Sequence, residues 1–340
     1  MEEEKYLYGI IKENERKSLG RCGINDGEEV YTVAHQDIAC VVSKSPVQDY
    51  SSMLKETLGH FLVKHQATIE KIMQGYTIIP MKFGTNVSND DEVIEVLKRG
   101  YPQFKELLIN MDGKIELDVA ATYNDLNNII KETADEDRGI REFKSEVAKR
   151  PPSQTLQDRI KIGAMIKDAL DRRKEKEAAH IIDFLKEVTV DFQKHQVMDD
   201  NMVLNCAFLL EKRREPDFDA ALKKLNQEYK ETVNFRCVGP LPPYSFATCQ
   251  LKRVNFNQID EARKLLGLGE DISTEKIKEA YWNFAQKNHP DKHLQNSQIK
   301  EEFEKVTYAY KLLTSCCQGE NISFEDKKKK DLIVIEIIRP

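Results

Sequence analysis

Histidine and cysteine are the side chains considered first for a transition-metal site in this sequence. His289 and His293 are close in sequence, but Pro290 between them breaks the helical spacing, and no third histidine or cysteine lies nearby. His60 and His65 lie on a predicted helix at a spacing that shares a face poorly, which predicts surface or partly buried side chains. The seven cysteines contain no CxxC pair, and their odd number is typical of reduced intracellular thiols. The sequence therefore predicts no metal site.

The sequence also lacks the common catalytic and nucleotide-binding motifs. Gly267-Leu268-Gly269 is far shorter than a phosphate-binding loop, and neither GxSxG nor HExxH occurs. Cys206, Cys237 and Cys249 lie in apolar segments, where small core residues are expected. We therefore predict no catalytic residue, no bound cofactor and no enzymatic activity.

The tripeptide His289-Pro290-Asp291 stands between two segments whose apolar residues have helical spacing. The stripes are Ile277, Ala280, Tyr281, Phe284 and Ala285 before it, and Ile299, Phe303, Val306, Tyr310 and Leu313 after it. Two such helices joined by a loop pack together as an antiparallel hairpin. Proline stiffens the predicted loop, and His289 and Asp291 give it polar groups that can form directed hydrogen bonds.

The landmarks in residues 257–317 resemble the J-domain of DnaJ-type co-chaperones. An LLGL turn, the helix IKEAYWNFAQK, the HPD tripeptide and the helix EEFEKVTYAYKLL follow in the family's order. The resemblance implies that His289, Pro290 and Asp291 contact a DnaK-type chaperone and stimulate its ATP hydrolysis. It also implies a contribution from the basic face of the preceding helix, here Lys276, Lys278 and Lys287.

This segment departs from the J-domain pattern at Trp282 and Asn283, which occupy positions that are usually basic. Residues 256–317 contain 10 acidic and 9 basic residues, so electrostatic steering to an acidic chaperone is expected to be weaker. Tryptophan is a favoured interface anchor, which makes Trp282 a candidate docking residue. Two interpretations stay open: a hairpin that contacts a chaperone, and one that serves only as a docking piece.

The elements before the hairpin predict two mixed domains, so the expected fold class is α+β. An N-terminal α/β domain is predicted at 1–111. The domain at 112–255 follows the order β-α-β-β-α-β with a long helical region, which predicts a ferredoxin-like fold closed by strands at 234–239 and 245–251. A J-like helical domain at 256–317 and a tail at 318–340 complete the chain.

The tail ends in a β-prone apolar run, residues 332–338, behind Lys327–Lys330. A bare strand of this kind invites aggregation. We therefore expect the run to pair with a sheet edge, in its own chain or in a partner, with the lysines acting as gatekeepers.

Three segments of the first two domains resemble the GvpL/GvpF family of gas vesicle proteins. They are KYLYGIIK at the start, TIIPMKFGT at 77–85 and VGPLPPYSF at 238–246, with a weaker fourth, MVLNCAFLLEK, at 202–212. In VGPLPPYSF, glycine and three prolines make a rigid turn, so a domain corner is its expected role. The resemblance implies an N-terminal α/β domain followed by a ferredoxin-like domain.

The two resemblances together imply an accessory or minor structural protein of gas vesicle assembly. Its expected partners are the hydrophobic shell protein, which it would keep from aggregating, other gas vesicle accessory proteins, and a DnaK-type chaperone recruited by the J-like module. The alternative is a general J-type co-chaperone with a different client.

Composition restricts the expected class of partner and the expected cellular location of the protein. The chain has 340 residues, 32% of them charged, and a formal net charge of -6 with no basic excess, so a nucleic-acid partner is not expected. The acidic start MEEEKYLYG predicts no signal peptide, and no long apolar run predicts a membrane span. The expected location is the cytoplasm and the gas vesicle.

Overall fold

The computed structural model describes residues 3–230, 232–288, 297–317, 322–323 and 332–338. They fall into two compact units. One unit joins residues 1–111 to residues 247–339, and the other consists of residues 112–246. The finer division into four domains stays a prediction.

The first unit begins with an antiparallel sheet and two helices. The elements are β1 (Glu3–Ile11), β2 (Ser18–Arg21), β3 (Glu29–His35), β4 (Ile38–Pro46), α1 (Lys55–Met73), β5 (Ile78–Pro80), β6 (Asn86–Val87) and α2 (Asp90–Met111), with a 3-10 turn at Tyr50–Ser52. The strand order is β2-β3-β4-β1-β5, and β6 also pairs with β1. The segments KYLYGIIK and TIIPMKFGT therefore meet in one sheet, where Gly9 pairs with Pro80.

The central strand β1 is buried along most of its length because helices contact the sheet. The Tyr6 hydroxyl lies 2.9 Å from His65 Nδ1 on α1 and accepts a hydrogen bond from the Gly84 amide at 3.1 Å. His65 is therefore a buried residue, and the expectation of a surface or partly buried side chain was wrong. Burial lowers the pKa of His65 to about 4, so its ring is neutral at neutral pH.

The second unit is a four-stranded antiparallel sheet with helices packed on it. The elements are β7 (Lys114–Tyr123), α3 (Leu126–Glu136), α4 (Arg138–Val147), α5 (Leu156–Leu185), β8 (Asp191–Lys194), β9 (Met202–Glu211), α6 (Glu215–Tyr229), β10 (Val233–Leu241) and α7 (Tyr244–Ala247), with 3-10 turns at Pro152–Gln154, Lys186–Val188 and Lys212–Arg214. The strand order is β10-β7-β9-β8. Strands and helical regions follow one another in the expected order β-α-β-β-α-β, with α3, α4 and α5 together in the first helical region. The ferredoxin-like assignment itself stays a prediction.

The C-terminal part of the chain returns to the first unit. Its elements are β11 (Thr248–Val254), α8 (Phe256–Leu265), β12 (Asp271–Ile272), α9 (Thr274–Asn288), α10 (Ser297–Cys316), β13 (Ile322–Ser323) and β14 (Leu332–Ile338). The apolar tail forms β14 and pairs antiparallel with β11, from Thr248↔Ile338 to Val254↔Leu332. This confirms that the tail pairs with a strand, and the partner strand is in its own chain. The lysines Lys327–Lys330 lie outside the described residues.

The pairing of β11 corrects one prediction. Residues 245–251 were expected to close the sheet of the second unit, but Thr248–Val254 pairs with the tail strand. A strand whose buried side chains are only part of its sequence can pair with more than one edge, and here the paired edge comes from the end of the chain.

The strand β14 also lies close to α2. A Cβ atom on Gly100 would come within 2.7 Å of the Ile335 side chain, so a larger residue at this point of the helix would displace the side chains packed on it. On the neighbouring strand, Arg253 forms a bidentate ion pair with Glu92 at 2.6 and 3.0 Å. The strand pair is thereby fixed to the N-terminal part of its unit.

The cysteines are free, and most are buried. Cys206 and Cys249 are core residues as expected, but Cys237 is exposed because it lies on the edge strand β10. Within the ranges that the structure describes, no helix combines the length and apolarity needed to cross a bilayer.

Candidate functional site

The helices α8, α9 and α10 form a compact helical module, defined here as residues 256–317. Asn255 caps α8: its side chain accepts from the Asn257 amide at 2.8 Å, and Gln258 Oε1 accepts from the Asn255 amide at 3.3 Å. Ser273 starts α9 by accepting from the Lys276 amide at 3.4 Å. The sequence thus specifies where both helices begin.

Aromatic contacts join α9 to α10. The rings of Tyr281 and Tyr310 stack with centroids 4.2 Å apart and an interplanar angle of 21°. Tyr281 and Thr307 hydroxyls lie 3.4 Å apart, and the Phe284 and Phe303 rings are 6.3 Å apart. The two predicted stripes therefore contact each other, as a helical hairpin requires.

The core of the module includes residues from outside the three helices, among them Val254 of β11, Ile272 of β12 and Val334 of β14. Buried residues Ile259, Ile277 and Leu313 from α8, α9 and α10 pack with Val334 of β14, which is only 1% exposed. The module is consequently completed by the tail strand, which no pattern within residues 256–317 could indicate.

The predicted basic face of α9 is divided between two flanks of the helix. Lys276 and Lys287 are about three turns apart and lie on one flank, while Lys278 lies one turn from Trp282 on the other. All three lysines are exposed, and Lys276 Nζ donates to the Asp271 carbonyl at 3.0 Å. The structure therefore brings two of the lysines into one stripe and separates the third.

Trp282 is 68% exposed, and its ring centroid lies 6.5 Å from that of Tyr281. An exposed tryptophan of this kind is available to a partner surface. His289, Pro290 and Asp291 lie outside the described residues. Their contact role, like that of the lysines and Trp282, stays a prediction.

The second unit contains a buried polar cluster that the sequence analysis did not identify. Glu116 on β7 is 1% exposed and accepts two hydrogen bonds from Ser245, at 2.8 Å from the amide and 2.7 Å from the hydroxyl. His195 Nε2 lies 3.1 Å from the same hydroxyl. Ser245 belongs to the VGPLPPYSF segment, so this cluster anchors the predicted corner to the sheet.

The order of groups in this cluster differs from that of an activated serine. In a nucleophilic triad the histidine stands between carboxylate and serine, whereas here Ser245 stands between Glu116 and His195. With the serine proton directed at Glu116, the imidazole acts as a donor and not as the base. The geometry supports an anchoring role. Among the described residues, no group of three or more His, Cys, Asp or Glu side chains could hold a metal ion.

Burial changes the ionisation of this cluster. It raises the pKa of Glu116, although the two hydrogen bonds from Ser245 oppose the change, and the nearby Asp118 carboxyl raises it further. Burial also raises the pKa of Asp118, and the His195 charge acts in the opposite direction. The folded protein therefore binds a proton at this pair more readily than the unfolded chain does.

We expect Glu116→Gln to reduce the pH dependence of stability. The raised carboxyl pKa contributes stability that is fully present below the unfolded-state pKa and is lost as pH rises through the folded-state value. From about pH 5 to about pH 8, the wild type should therefore lose on the order of 2 kcal/mol relative to Glu116→Gln. Urea unfolding across this range measures the difference.

The exposed Glu146→Gln, in the same unit, is the matched control for that measurement. Its stability should follow the wild type at every pH. Parallel curves for the wild type and Glu116→Gln would show that the Glu116 carboxyl does not titrate differently in the folded state.

Comparison with known proteins divides the chain into two parts. Residues 4–248 match the family described as gas vesicle synthesis protein GvpL/GvpF, and residues 254–317 match the DnaJ domain. The second match ends where the helical module ends, and the first covers the second unit and the N-terminal part of the first.

Individual relatives agree with this division. Gas vesicle protein F of a Streptomyces species (strain CB03234) is 28% identical over 245 residues, covering 71% of this chain and 98% of that protein. The chaperone protein DnaJ of a Wolbachia strain is 43% identical over 51 residues, 15% of this chain and 14% of that protein. The crystal structure of the gas vesicle protein GvpF from Anabaena sp. PCC7120 superposes with a TM-score of 0.63 at 23% identity, covering 72% of this chain and 98% of that one.

Proposed function

This chain belongs to the GvpL/GvpF family, and from that premise we propose that it is an accessory protein of gas vesicle assembly that binds the hydrophobic shell subunit and recruits a DnaK-type chaperone. The observation that carries the proposal is the presence of both modules in one chain, with the DnaJ match inserted between two strands of the first unit. We place the protein in the cytoplasm and at the gas vesicle, together with other accessory proteins.

Shell binding is supported by apolar side chains on the surface of α1. Leu54, Leu62 and Val63 are exposed in and beside the first half of this helix. Exposed apolar surface of this kind is a means of covering a hydrophobic client before it assembles. Binding of an aggregation-prone subunit would keep its β-segments from pairing with one another.

Shell binding is tested by light scattering of shell subunit diluted from denaturant in the presence of the full chain. We expect the chain to suppress scattering. The double variant Leu54→Ser and Val63→Ser should need about a tenfold higher concentration to suppress scattering equally. The control is Leu156→Ser, an exposed leucine in the second unit. Equal scattering with and without the chain would remove the shell-binding proposal.

Chaperone recruitment is assigned to His289, Pro290 and Asp291, with Lys276, Lys278 and Lys287 supplying positive charge. The stripe of Lys276 and Lys287 supports this assignment, because two cations on one flank can steer an acidic partner. Trp282 is assigned to docking on a partner surface, supported by its exposure.

The DnaJ match also favours a second candidate function, a general J-type co-chaperone with a different client. Affinity purification of the tagged chain from cells that make gas vesicles distinguishes the two. Recovery of shell protein supports the assembly role. Recovery of a DnaK-type chaperone with other client proteins, but without shell protein, supports the alternative.

A further inference from the structure

A groove on the helical module lies between α8 and α10, away from the α9 face. It has a volume of about 580 Å³ and is lined on α8 by Gln258, Glu261, Ala262 and Leu265, and on α10 by Glu301, Glu304, Lys305, Tyr308, Ala309 and Leu312. The α8 residues are spaced i, i+3, i+4 and i+7, so a single helical face forms one wall.

The floor of the groove is apolar and two of its apolar side chains are open to solvent. Ala262 and Ala309 are buried where the helices touch, whereas Leu265 is 46% exposed and Tyr308 is 65% exposed. An aromatic and a leucine side chain left in solvent beside a concave surface are typical of binding anchors.

The rim of the groove is acidic. Glu261, Glu301 and Glu304 carry three negative charges, and the one lysine among the groove residues, Lys305, is paired with Glu301 at 2.7 Å. The groove is thus apolar inside and negative at its edge. Such a surface complements an amphipathic helix whose apolar stripe is flanked by lysine or arginine.

The length of the groove fits such a segment. Glu301 to Leu312 spans about three turns, or about 17 Å along α10, which matches a helical segment of about 11 to 14 residues. Tyr308 and Leu312 lie on the side of α10 opposite Phe303 and Tyr310, the residues that contact α9.

From these observations we propose that the α8–α10 groove is a binding site for a basic amphipathic helix of a partner protein. Because the groove and the α9 face lie on different sides of α10, the module can hold this segment while α9 contacts another protein. The proposal is independent of chaperone recruitment and of shell binding through α1.

The test uses the full chain and a fluorescent peptide of about 14 residues, composed of leucine and lysine in an amphipathic helical pattern. Anisotropy should show saturable binding that weakens at least about tenfold with Leu265→Ser and Tyr308→Ser together, and similarly with Glu261→Lys and Glu304→Lys together. All four positions are exposed, so these variants should retain the wild-type thermal midpoint. Leu156→Ser should bind as the wild type does.

A second peptide, with glutamate in place of each lysine, should bind at least about tenfold more weakly. Equal binding of the two peptides, or equal binding by the wild type and both double variants, would overturn the proposal. A dimer of the wild type that Leu265→Ser and Tyr308→Ser dissociate would also overturn it, by assigning the groove to a second copy of this chain.

Discussion

A chain that lacks residues 331–340 is expected to lose the folded helical module. The deletion removes Ile333, Val334 and Ile335, all buried, from the space between α2 and the module. Burial of each side chain contributes about 1.5 to 3 kcal/mol, so the loss approaches the total stability of an ordinary domain. Far-UV circular dichroism and limited proteolysis of the truncated chain would show fewer helical residues and cleavage within 256–317.

Single substitutions give a graded form of this prediction. Val334→Ala should lower the free energy of unfolding by about 1 to 3 kcal/mol, because it leaves a cavity in the module core. Ile338→Ala, at the less buried end of the same strand, is the control and should cost less than about 1 kcal/mol. A truncated chain with unchanged helix content, solubility and vesicle yield would mean that the tail strand is dispensable.

The His289→Gln variant is expected to abolish stimulation of a DnaK-type ATPase and return it to the unstimulated rate. The resemblance to the J-domain gives this residue its contact role, while the core of the module is made by other residues, including Ile277 and Leu313. Stability should therefore change by no more than about 0.5 kcal/mol. Single-turnover ATPase rates and thermal unfolding of the same samples measure both quantities.

Trp282→Ala separates the two interpretations of the module. If the module works through a chaperone, His289→Gln should reduce both ATPase stimulation and vesicle yield. Normal yield with His289→Gln but reduced yield with Trp282→Ala would leave the module as a docking piece. Leu156→Ala is the matched control, because this apolar side chain, 66% exposed in the second unit, is about as open to solvent as Trp282.

Local patterns in the sequence were sufficient to predict the helices of the module and most strands. The stripes that contain Tyr281 and Tyr310 follow helical spacing, and their rings stack in the structure. The helices α3 and α4 were missed although their apolar residues follow helical spacing, as Ile140, Phe143 and Val147 do in α4.

Contacts between distant residues could not be predicted in the same way. Ser245 and Glu116 are 129 positions apart, and neither has a neighbour in sequence that signals the other. The partner of β11 was likewise unpredictable, because the residues of a strand do not specify which of several edges it joins. The groove between α8 and α10 depends on the packing angle of two helices, and helical periodicity gives their faces but not that angle.

The register of the β11–β14 pair has a mechanical consequence. Val254, the last residue of β11, lies opposite Leu332, the first residue of β14. The two ends of the chain segment that contains the module thus meet at one rung of the ladder. A force that pulls these two strand ends apart acts across this end of the ladder. The hydrogen bonds then break one after another and are not loaded together in shear.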